Sequence, residues 1–288
     1  MVTLSHDNFT LTLAPERGGC VSEFRYRNRH ILRPAQSDGV EAWDARDFAA
    51  FPMLPFCGRV INGRLTVDGN TIQLAANMAP EPHAIHGLGW QAAWLVERQS
   101  EAKATMMLEH DGEDWPWAFT AYQTFQLTRQ GLELTIGLTN RGETNMPAGL
   151  GWHPYFPREG ATLTAQTSKV WSPGDGETLA QPHPVPPAQD LSRTREVGGM
   201  VLDHAYTITH PGCAIAWPDL SVAIRASDIF DKLTVYIPPD EPYFCAEPLT
   251  QAPGTLDRQI DDAITGVRML SPGETLTGEI QLIVEARA

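Results

Sequence analysis

Hydrophobic residues return at every second position in four stretches of the chain: Phe9, Leu11 and Leu13; Leu132, Leu134, Ile136 and Leu138; Leu233, Val235 and Ile237; Ile280, Leu282 and Val284. A period of two puts one face of an extended strand in a core and the other outside, so these stretches are expected to be half-buried β-strands. In LTVDGNTIQL the pair Asp68-Gly69 divides two short alternating runs. Asp-Gly supplies the positive φ angles of a tight turn, which predicts a hairpin over 64–74. Residues 118–127, AFTAYQTFQL, are rich in β-branched and aromatic types, and Arg129-Gln130-Gly131 then leads into 132–138. That order predicts a second hairpin. The clearest helix candidate is 40–51, where Val40, Trp43, Asp47, Phe48 and Phe51 have helical spacing before Pro52 stops it. It is expected to run for only a turn or two.

The 24 glycines and 23 prolines punctuate many short strands, so the expected class is all-β, in the manner of a sandwich or barrel. Two turn-rich stretches, 172–190 and 248–259, are read as loops. No composition shift accompanies the first, and the strands on either side of it share one character. A single domain over 1–288 is therefore expected, as large all-β folds of about 250 residues often form one unit.

Composition narrows the function classes. Hydrophobic residues at 42% and charged residues at 19% supply an ordinary globular core. Cys20, Cys57, Cys213 and Cys245 are scattered without C-x-x-C spacing, so reduced thiols are expected in place of a zinc ribbon or disulfide scaffold. The first residues carry no basic and apolar leader pattern, and no run of about 20 apolar residues occurs. The expectation is a cytoplasmic protein, a monomer or homodimer, with no membrane partner. A net charge of -14 opposes nucleic acid, whose phosphates demand clustered Lys and Arg, and favours a small, mostly uncharged ligand. The one basic cluster, Arg25, Arg27, Arg29 and Arg33, reads as a solvated strand face.

Five clusters set titratable groups among glycines, prolines and aromatics: PFCGRVINGRL around Arg59, HAIHGLGW around His86, GLGWHPYF around His153, VLDHAY around Asp203, and YFCAEPLTQAPG around Glu247. A lone histidine in a setting as apolar as that of His153 is more often a core residue than a catalyst. Glutamate is seldom buried unless paired, so an inward Glu247 needs a partner or a function. His83 and His86 invite a metal reading, but Pro80, Pro82 and Gly87 argue against a helix, and no Cys or carboxylate beside them completes a zinc set. No metal and no cofactor are expected.

Taken in order, Arg59 in its Asn-Gly hairpin, His86-Gly87, Gly-Trp-His-Pro-Tyr-Phe, Asp203 and the late Glu247-Pro248 resemble the aldose 1-epimerase (galactose mutarotase-like) family from about Phe51 to Thr250. The resemblance implies a β-supersandwich, a large antiparallel β-sandwich with a sugar held in an open cleft on one sheet. It implies that His153 is the general acid and Glu247 the general base, with His86 a second active-site histidine and Arg59 and Asp203 ligands of the sugar. Trp90, Trp152 or another aromatic is expected to cover the pyranose. The implied reaction is mutarotation of a free aldose, in which the pair opens and recloses the hemiacetal. Two alternatives stand beside it: an epimerase for an anionic sugar, which requires a cleft arginine beyond Arg59, and a sugar-binding protein without turnover. The chain departs from the family pattern at Gly58, where the family has asparagine, at His86-Gly87-Leu88-Gly89-Trp90, and at Asp203-His204, where two acids often stand together. These changes point to a divergent subgroup whose preferred sugar need not be galactose.

Overall fold

The computed structural model describes residues 1–36, 44–171, 181–256 and 261–287. Strands make up 52% and helix 4%, so the all-β expectation holds. An 11-stranded sheet runs in the order Val2–His6, Phe9–Ala14, Cys20–Tyr26, Ala50–Met53, Gly151–Pro157, Tyr243–Leu249, Lys232–Ile237, Leu202–Ile208, Thr167–Trp171 and Pro182–His183, with Arg29–His30 attached to Cys20–Tyr26. A nine-stranded sheet runs Leu95–Gln99, Lys103–His110, Phe119–Thr128, Gly131–Asn140, Thr275–Ala286, Leu220–Ala226, Gly212–Ala216, Thr162–Thr164 and Arg195–Glu196. Neighbouring strands in both are antiparallel. The two sheets share one core, in which Trp152, Phe156, Leu233, Val235 and Phe244 of the larger meet Phe125, Leu134, Ile136, Ile280 and Leu282 of the smaller.

Both expected hairpins form. Arg64–Val67 pairs with Asn70–Gln73 across Asp68-Gly69, and Phe119–Thr128 pairs with Gly131–Asn140. The four cysteines are free and buried. Among the described residues no helix is long and apolar enough to cross a membrane.

The helix expected over 40–51 is corrected. Residues 40–43 lie outside the described residues; Ala45–Asp47 form a single 3-10 turn, and Ala50–Met53 is a strand. Helical spacing there is overridden by tertiary pairing, because Ala50 to Met53 face Pro154 to Gly151 in register in the middle of the larger sheet. The loop expected over 248–259 begins later, since Pro248 and Leu249 complete the strand Tyr243–Leu249; 257–259 are outside the described residues, as are 172–180 of the other loop.

The centre of the larger sheet is covered on both faces. Along Gly151–Pro157, Trp152 and Phe156 enter the intersheet core, while Tyr155 joins a second cluster with Phe48, Phe51, Met53, Cys57, Trp90, Cys245 and Leu249 on the opposite face. That second cluster is the floor on which the polar clusters assemble. A strand buried on both sides reads as a nearly continuous apolar run, which is why the segment around His153 lacks alternation.

Candidate active site

Antiparallel register brings His153 and Glu247 together. Tyr155 lies opposite Cys245, and two residues back along one strand and two forward along the other stand His153 and Glu247 on the same face. His153 Nε2 and Glu247 Oε1 are 3.2 Å apart, with side chains only 10% and 3% exposed, so a cation and an anion here would be nearly stripped of water. Burial raises the Glu247 carboxyl well above its ordinary 4.5; the charge of Asp203 adds to this and Arg59 opposes it. Burial lowers the His153 imidazole well below its ordinary 6.5, and His86 and Arg33 push the same way. Both directions favour an uncharged pair that shares one proton.

A two-residue ladder carries the next two clusters. Arg59 pairs with Ile85 and Val60 with Ala84. The Gly58 amide donates to His86 Nδ1 at 3.2 Å, and the His86 amide donates to the Gly58 carbonyl at 2.8 Å. Because Nδ1 accepts, the ring hydrogen of neutral His86 sits on Nε2. Burial, with Arg59 adding to it, lowers the His86 imidazole to about 3, so it meets a ligand as a neutral group. His86 itself has φ 58, a left-handed conformation that costs a non-glycine residue energy and is concentrated at functional sites. At Gly58, φ is 69 and a Cβ would come within 2.3 Å of Pro253 Cβ. Pro253 therefore occupies the space that a side chain at this position would need.

The cleft has a cavity volume of about 540 Å³, inside the range of roughly 300–1,000 Å³ usual for small-ligand sites. Of the residues singled out in the sequence, Arg59, His86, Asp203, His153 and Glu247 all line it, together with His83. Trp90 does not. It is buried beneath the floor, its Nε1 donating to the carbonyls of Ile85 and Gly87 at 3.1 and 3.2 Å and its ring packing on Phe51. Trp152 is in the intersheet core. The aromatic lining comes instead from Phe51, Tyr155, Trp171, Tyr236 and Tyr243.

Sequence reasoning missed Thr234, Tyr236 and Arg46. Thr234 lies opposite Glu247 in register, and its hydroxyl is buried without a hydrogen-bond partner. A signal existed: Thr234 and Tyr236 are the polar-face positions of the run Leu233, Val235 and Ile237, whose outer face is the cleft. Arg33 corrects another expectation. It is 8% exposed and not part of a solvated face, although Arg25 and Arg29 are partly exposed and lie near Glu23 and Asp219.

His153, Cys245 and Glu247 offer three potential metal-ligand atoms within 4.8 Å of one another, a grouping that the sequence did not reveal. Burial raises both the thiol and the carboxyl, so ligation here would require each to lose a proton in an apolar floor.

Comparison with known proteins agrees with this geometry. A curated relative, the uncharacterized protein YphB of Escherichia coli K12, is 29% identical over 98% of each chain. The structure of a putative aldose 1-epimerase from Escherichia coli K12 superposes with TM-score 0.89 at 27% identity, covering 99% of this chain and 98% of that one. A galactose mutarotase-like protein from Clostridium acetobutylicum gives TM-score 0.88 at 19% identity over 99% and 95% of the two chains. The sequence profile of the family described as aldose 1-epimerase matches residues 1–282. This chain, an all-β protein of galactose mutarotase-like fold, belongs to the aldose 1-epimerase family.

Proposed function

We propose that the protein is a mutarotase for a free, uncharged aldose, with Glu247 as general base and His153 as general acid. The observation that carries this reading is the 3.2 Å approach of the two groups on the floor of the cleft. Ring opening takes the proton from the anomeric hydroxyl and delivers one to the ring oxygen; rotation about C1–C2 and the reverse transfers close the other anomer. One proton held between two adjacent groups is the inventory this needs. Glu247 as carboxylate and His153 as imidazolium is the acting tautomer, reached from the neutral pair without exchange with solvent.

Electrostatics supports the uncharged substrate. Arg59 lies 3.6 Å from Glu81, and Arg46, the additional cleft arginine, is paired with Asp44. The charge of Asp203 adds negative potential to the same lining. Arg46 cannot neutralise a phosphate or sulfonate without giving up its own carboxylate, and Arg59 would share its charge with Glu81. Arg64 lies on the exposed strand of the 64–74 hairpin and outside the lining.

The test is polarimetry or anomer-resolved NMR on neutral, phosphorylated and sulfonated aldoses, run with and without excess chelator. The expected result is exchange of neutral sugars only, unchanged by chelation. Exchange confined to an anionic sugar, or activity abolished by chelator and restored by zinc, would overturn the reading.

A pH profile follows from the shared proton. Adding a second proton must place it on His153, whose affinity for it is lowered, so the acid limb should fall below the ordinary imidazole value of 6.5. Losing the last proton must take it from the raised Glu247 carboxyl, so the alkaline limb should lie well above 4.5. The expected kcat/KM profile is a bell bounded by those two limbs. A single rise centred near pH 6.5, as for an isolated imidazole base of about that pKa, would show that the two groups do not share a proton.

A further inference from the structure

Arg33 is outside the cleft lining, yet it reaches Tyr155 and the backbone leading to Phe51, the two residues whose rings pack against His153. The imidazole packs against two aromatic rings, Phe51 at 4.4 Å and 23° and Tyr155 at 4.8 Å and 29° between centroids and planes, and these two rings also touch each other, with centroids 6.2 Å apart. The Arg33 guanidinium lies 4.1 Å from the Tyr155 ring centroid and 4.6 Å from that of Tyr243, and its backbone amide donates to the Tyr155 carbonyl at 2.8 Å. On the other side its Nη2 donates to the carbonyls of Arg46 and Phe48 at 2.5 and 2.7 Å, holding the turn that leads into Ala50–Met53, the strand that carries Phe51. One buried side chain thus ties down Tyr155 and the backbone leading to Phe51.

We infer that Arg33 is a positioning residue that fixes the plane of the His153 imidazole by holding Tyr155 and the backbone approach to Phe51, the two rings packed against it. The inference rests on His153 acting in the acid–base step. A ring free to tilt about its χ2 bond would carry Nε2 away from Glu247 and from the ring oxygen of a bound sugar. Misplacement of a catalytic group by about 1 Å costs up to 10²-fold in rate without a comparable loss of binding. A guanidinium serves here because it is planar enough to lie on a tyrosine face while its edge donates to carbonyls; an ammonium cannot do both.

The experiment compares Arg33→Met, Tyr155→Leu and the double variant, with Arg33→Lys as a second probe should Arg33→Met fail to fold. Steady-state anomer exchange gives kcat and KM, and the His153 ring resonance, assigned from its loss in His153→Asn, reports ring placement. Each single variant is expected to lose about tenfold in kcat with KM within about twofold, and the double variant to lose no more than the worse single. The His153 resonance should move in both, and Arg33→Lys should recover only part of the rate. Unchanged kcat with an unmoved resonance would overturn the inference, as would single losses that multiply in the double variant or that fall on KM. Should the wild-type protein exchange no anomers, the mutarotase reading fails, and the resonance alone then decides the role of Arg33.

Discussion

Glu247→Gln is expected to slow anomer exchange by about 10²-fold or more while sugar binding persists. The amide keeps the size and hydrogen-bonding oxygen of the carboxyl, so the floor of the cleft and the strand Tyr243–Leu249 stay in place. What disappears is the group able to take the anomeric proton. His153→Asn, which removes the partner 3.2 Å away, should cost a similar factor. The double variant should lose much less than the product of the two, because either change alone already breaks the single proton relay. Saturation-transfer NMR measures the exchange, and ligand titration checks the binding. Near wild-type exchange in Glu247→Gln would assign the base to another residue and remove the central element of the proposed mechanism.

Gly87→Ala should be the most damaging small substitution near the site. Gly87 has φ 71, and a Cβ there would stand 2.1 Å from the Leu54 carbonyl oxygen and 2.7 Å from the Pro55 nitrogen. Those are backbone atoms with nowhere to go: the Leu54 carbonyl also accepts the amides of Leu88 and Gly89 at 2.8 and 3.0 Å. The left-handed backbone costs an alanine about 1 kcal/mol, and the collision adds to it, for a loss of roughly 2–4 kcal/mol and a fall in Tm of roughly 5–15 °C. Turnover should fall as well, since His86 is the preceding residue. Gly69→Ala is the control. Gly69 has a similar φ of 79 but no atom within 4 Å of its would-be Cβ, so only the backbone cost of about 1 kcal/mol applies. Equal Tm values for the two variants would show that the close approach at Leu54 does not hold the loop.

The sequence carried the strands where one face meets solvent. Phe9, Leu11 and Leu13 alternate because Thr10 and Thr12 between them are only half-buried, and that contrast is the signal. It fades at Ala50–Met53 and Gly151–Pro157, where both faces are covered, and there local spacing suggested a helix or nothing at all. For the site, the short motifs around Arg59, His86, His153, Asp203 and Glu247 were visible, and all five reach one cleft. Trp90 was misread because an aromatic beside an active-site histidine looks the same whether it faces the ligand or supports the loop from below. Arg33 was misread because position among other arginines says nothing of burial. Its partners Tyr155, Phe48 and Arg46 are brought to it by sheet order, at separations along the chain that no motif spans.

Placing the acid–base pair on doubly covered central strands has a consequence for how the molecule can change. Strand Gly151–Pro157 has neighbours on both edges and packed layers on both sides, so its amides are expected to exchange among the slowest in the protein. Arg59, His86 and Pro253 stand instead on a two-residue ladder and loops at the rim, where backbone can be rebuilt without disturbing the core. On the proposed reading, proton transfer and sugar choice are therefore housed apart: the rim can be rebuilt to suit another carbohydrate while the interior that holds His153 and Glu247 stays closed.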